Sequence, residues 1–123
     1  MTKLKYPDMR IDIIESLKSL ADEDYQQKAW IGGVYPESIY DDFTMIVHIL
    51  FDDNRLAEDA RGAVGITLYN EAEAVAIAKV TEAIDALLKK LGNDKSDIDY
   101  LKDSDWVDVV AYAKDALKIF NTP

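Results

Sequence analysis

The stretch Asp41-Asp42-Phe43-Thr44-Met45-Ile46-Val47-His48-Ile49-Leu50-Phe51-Asp52-Asp53 decides the fold. Its apolar run carries the chain's single histidine and is closed at each end by an aspartate pair. A continuous run rich in β-branched residues suits a strand buried on both faces as well as a buried helix. Three features favour the helix. Phe43, Ile46, Val47, Leu50 and Phe51 form a wide stripe at helical spacing, the segments on either side are helical in pattern, and no second strand with clear alternation is there to pair with it. The best strand rival is the short stretch Val64 to Tyr69.

Working outward, Met9, Ile13, Leu17 and Leu20 fall on one helical stripe between Pro7 and Ala21, with Ile14 beside it. Asp8, Asp12, Glu15 and Lys18 lie mostly elsewhere, which predicts an amphipathic helix. Asp22, Glu23 and Asp24 supply cap and first-turn acids for a second helix that runs to about Trp30 and stops at Gly32-Gly33. Gly33 to Ser38, with Tyr35-Pro36 inside it, reads as a loop. Between Asn70 and Leu91, Ile77, Val80, Ile84, Leu87 and Leu91 repeat at three and four residues. Asn70 followed by Glu73 is a helix-start pair, and Gly92 is a stop. A short helical turn around Ile98 to Leu101 precedes a last helix from about Ser104 to Phe120, carrying Trp106, Val110, Ala113, Leu117 and Phe120. The expectation is an all-α domain over residues 1–123, a compact bundle of about five helices whose longest two, about 70–91 and 104–120, pack antiparallel.

Bulk composition narrows the function classes. A chain of 123 residues with 49% hydrophobic and 31% charged residues can form one domain with its own core. The longest apolar run, Met45 to Phe51, is far short of the roughly 18 residues a membrane-spanning helix requires. No apolar leader with a small-residue cleavage site follows the first lysines, so a cytoplasmic location is expected. The absence of cysteine removes disulfides, thiol nucleophiles and thiolate metal sites. Net charge is −10, from 24 acids and 14 bases, which disfavours nucleic acid as a direct ligand and makes a basic protein the natural complement, the alternative being an acidity that serves solubility alone. Residues 36–61 hold seven acids against two bases, so half of the excess lies in about a fifth of the chain.

Candidate sites follow from that concentration. His48 and Asp52 are four apart, a spacing at which a helix lets two side chains share a metal ion or a hydrogen bond. One histidine cannot complete a two-metal carboxylate bundle, so the expectation is a buried histidine bonded to Asp52 or to a backbone carbonyl. There is no Gly-x-Ser-x-Gly elbow, phosphate loop or dinucleotide fingerprint, and no calcium loop, because Asp52 to Asp59 lacks the central glycine and terminal glutamate. No catalytic, cofactor or metal residues are therefore assigned. Trp30 and Trp106 sit at apolar spacing and read as core. Tyr35, Ile39 and Tyr40 lie in or beside the Gly/Pro loop among Glu37, Asp41 and Asp42, which reads either as a mixed aromatic and acidic surface of the type found in binding hot spots or as a loop that folds its aromatics onto the core. Asp52, Asp53, Glu58 and Asp59 continue the acid past the apolar run. On one helix the two aspartate pairs would stand about 16 Å apart along the axis, too far to share an ion. The expected partner-binding set is Tyr35, Glu37, Tyr40, Asp41, Asp42, Asp52, Asp53, Glu58 and Asp59.

Several phrases together carry a resemblance: Met9-Arg10 leading a Leu/Ile helix, Ser19-Leu20-Ala21-Asp22 with Tyr25-Gln26 and Trp30, Val47 to Asp53, Glu71-Ala72-Glu73-Ala74, and Trp106-Val107. The chain resembles a family of small, acidic bacterial cytosolic proteins, some of which are similar to immunity proteins of contact-dependent growth-inhibition or other polymorphic toxin systems. That resemblance implies a non-enzymatic protein that neutralises a basic toxin domain, commonly a nuclease, by tight binding. The alternative is a regulatory or structural helical module, self-associating through surplus apolar helix surface.

Overall fold

Residues 43–53 are helical in the computed structural model, which describes residues 4–32, 42–92 and 94–121. The first helix, α1, spans Pro7–Ala21. A short α2, Glu23–Tyr25, passes directly into a π-helical turn, Gln26–Ile31. The stretch that decides the fold forms α3, Phe43–Val47, and a second π turn, His48–Asp53. α4 is Leu56–Asp59, followed by a 3-10 turn at Arg61–Ala63. α5 is Glu71–Leu91, α6 is Asp97–Lys102 and α7 is Trp106–Phe120. The strand rival is a tight turn whose sole strand-like feature is an isolated bridge between Val64 and Leu68. Gly65, at φ 87, makes the reversal, and the amides of Ile66, Thr67 and Leu68 all converge on the Ala63 carbonyl.

Local chemistry sets the boundaries. Pro7 opens α1, where a missing N–H costs nothing. Asp22 Oδ1 accepts from the Tyr25 amide at 3.0 Å and starts α2. Asn70 Oδ1 accepts from the Glu73 amide at 2.9 Å, and Gly92, at φ 88, closes α5. α7 begins two residues later than its spacing predicts because Asp103 organises a turn there. Its carboxylate accepts from the Asp105 amide at 2.9 Å and its carbonyl from the Trp106 amide at 3.0 Å.

Two sets of contacts fix the direction of the long helices. Near the end of α5, Lys90 donates to Asp103 and Asp105, just before α7 starts. Near the start of α5, Glu73 pairs with Arg10 on α1, and Arg10 lies over the ring of Phe120 at the end of α7. α5 and α7 are thus antiparallel, and α1 runs with α5. The Lys90 and Asp103 charges reinforce each other. The Asp105 amide and then Lys90 hold the Asp103 carboxyl below its ordinary 3.8, and Asp103 followed by Asp105 holds the Lys90 ammonium above 10.5.

Ile13, Leu17 and Leu20 of α1, Phe43, Ile46 and Leu50 of the α3 region, and Ile77, Val80, Ile84 and Leu87 of α5 fill the core. Burying each is worth about 1.5–3 kcal/mol. Val109, Ala113 and Ala116 supply the flattest part of α7 and let it approach closely. An aromatic cluster closes one end: the Phe43 ring lies 4.8 Å from Tyr100 and 5.2 Å from Trp106, and Trp30 lies 6.1 Å from Trp106. Both tryptophans are core residues, as their spacing predicts.

Two polar groups sit inside this core, each with its partners in place. Arg10 binds Glu73 through both guanidinium nitrogens at 2.7 and 2.8 Å, donates to the Thr67 carbonyl at 3.0 Å, and stacks against Tyr69 and Phe120. Glu73 also accepts from the Tyr69 amide at 2.8 Å. Gln26 donates to the Ser19 and Leu20 carbonyls at the end of α1 and accepts from the Trp106 indole at 3.0 Å. It therefore satisfies helix-end carbonyls that would otherwise be buried without donors.

Candidate functional site

The acidic segment is built around one reversal of the chain. Asn54 donates its side-chain amide to the Ile49 carbonyl at 2.7 Å, which closes the π turn. Arg55 then takes a left-handed conformation, φ 54 and ψ 32, and redirects the chain into α4. It is the sole non-glycine residue with positive φ among those described. Leu56, 1% exposed, anchors α4 in the core against α5, so Glu58 and Asp59 face outward.

α4 consequently forms a ridge between shallow clefts. One, of about 320 Å³, lies between α4, the start of α1 and the turn at residues 62–67. A second, of about 420 Å³, runs between α4 and α5. A third, of about 380 Å³, continues past Phe51 and Asp52 to Glu82 and Asp85. Glu58 lines all of them.

Asp52, Asp53, Glu58 and Asp59 are therefore brought together on one side of the molecule. Glu82 and Asp85 join them from α5, although the charge count along the sequence did not single them out. Their signal was available, since positions three apart on a helix share a face. The bases nearby are Arg55, 3.1 Å from Glu58, Lys89, 2.9 Å from Asp85, and Arg61, 3.1 Å from Glu71, all in exposed pairs that salt would screen, together with Lys79, which with Arg61 lines the cleft between α4 and α5. Asp59 Oδ1 accepts from the Gly62 amide at 3.0 Å. Asp53 and Glu82 have no ion-pair or hydrogen-bond partner among the described residues.

The rest of the expected set falls elsewhere. Tyr35, Glu37, Tyr40 and Asp41 lie outside the described residues. Asp42 stands at the opposite end of α3, where its Oδ1 caps the Met45 amide at 2.8 Å, a structural task. His48 is corrected: its Nδ1 is 2.5 Å from Asp52 Oδ2, as the spacing predicts, but its side chain is 62% exposed rather than buried. The helical stripe itself explains this, because His48 is two positions from fully buried Leu50 and so points away from the core.

Chemically the ridge is a collection of hydrogen-bond acceptors. Among the described residues, no group of three or more His, Cys, Asp or Glu side chains is arranged to hold a metal ion. No described helix is long and apolar enough to cross a membrane. The face is suited to cationic groups that arrive with their own donors.

No curated protein and no solved structure matches the chain. A family model matches residues 4–122, nearly its whole length, and on that match the chain belongs to the family described as Domain of unknown function (DUF7945).

Proposed function

We propose that this domain is a non-enzymatic binding protein whose α4 ridge engages a basic protein, and that its role is that of an immunity or inhibitor protein occupying the cationic surface of a toxin domain. One observation supports this most directly: Asp52, Asp53, Glu58, Asp59, Glu82 and Asp85 line adjoining clefts on one face. Packing does not require that excess, since none of these carboxylates is buried. A face on which acids outnumber bases accelerates encounter with a basic surface and disfavours acidic competitors. A nuclease domain, whose substrate groove must be cationic, fits that description.

The test uses affinity capture from a lysate of the producing organism, comparing the native chain with a folded variant carrying Asp53→Asn, Glu58→Gln, Glu82→Gln and Asp85→Asn. The expected result is a basic toxin domain held by the native chain and lost by the variant, with an association rate that falls steeply as salt rises. Equal retention by both chains would overturn the reading.

The runner-up reading, self-association of a structural module, draws on Tyr112 and Ile119, seven apart on one face of α7 and each 38% exposed. It predicts a dimer by sedimentation that survives neutralisation of the ridge.

A further inference from the structure

We draw no further inference here: the strongest candidate, the surface patch of Val107, Tyr112 and Ile119 left exposed along the outer side of α7, carries nothing because nothing in the structure shows what covers it.

Discussion

Two regions of this domain use charge in opposite ways. Where α1, α5 and α7 meet, Arg10 and Glu73 are buried together, joined by two hydrogen bonds and enclosed by Tyr69, Phe120 and the Thr67 carbonyl. On the α4 ridge, six carboxylates outnumber the bases beside them, Arg55, Arg61, Lys79 and Lys89. The first arrangement is closed, in that each charge is met by its opposite and both Glu73 oxygens are bound by Arg10. The second is open, with acceptors in excess. Burial forces closure because an unpaired charge in a low-dielectric interior is very costly, while water tolerates surplus. The difference separates charge that holds the fold from charge available for binding.

The comparison is most easily broken at Arg10. Arg10→Ala leaves Glu73 buried and unpaired, and should cost about 3–5 kcal/mol in urea denaturation. The double variant Arg10→Met/Glu73→Leu should recover most of that loss, because an apolar pair of similar volume needs no partners. If the double variant is as unstable as the single one, closure is not what the pair provides.

A smaller and pH-dependent effect is expected at the Lys90–Asp103 contact, which is exposed but joins the end of α5 to the start of α7. Asp103, held below 3.8, contributes stability at pH values above 3.8 and loses it as pH falls through its lowered value. Lys90, held above 10.5, contributes below 10.5 and loses it as pH rises through its raised value. The Tm difference between wild type and Asp103→Asn should be constant across neutral pH and shrink beyond both limits. A difference that peaks at acid pH would contradict the sign.

The smallest effect belongs to the ridge. Asp53→Asn with Glu82→Gln should change stability by no more than about 0.5 kcal/mol, because neither side chain has a partner to lose among the described residues. A large loss would move the ridge into the structural category and weaken its claim to a partner.

The sequence made α5 and α7 legible because their buried residues recur at the helical period, and Asn70 with Glu73 marked the start of α5 by local chemistry. It left the apolar run readable as strand or helix, with the stripe of Phe43, Ile46 and Leu50 favouring the helix that the structure shows. The π turns at 26–31 and 48–53 were not legible, since a single wider turn is too short to shift the spacing of the apolar residues on either side of it. Arg10 was missed as an interior residue for a different reason. Its partner is 63 positions away, and no local pattern reports a pairing across that distance. Of the ridge, the sequence supplied Asp52 to Asp59 as a charge cluster, while Glu82 and Asp85 entered only when α4 was seen to pack on α5. The unpartnered buried oxygens of Asn54 and Thr67 exist only as a property of the folded interior.

The Gln26 hydrogen bonds have a consequence for the order in which the molecule can be made. The end of α1 is secured by Gln26, and Gln26 in turn takes its last donor from Trp106, 80 residues later. The Arg10 site likewise waits for Phe120. On a ribosome adding about 5–20 residues per second, the N-terminal third must emerge with its polar interior incomplete. Native closure of that third follows synthesis of the final helix, so a nascent chain stalled before α7 would present α1 to chaperones and proteases.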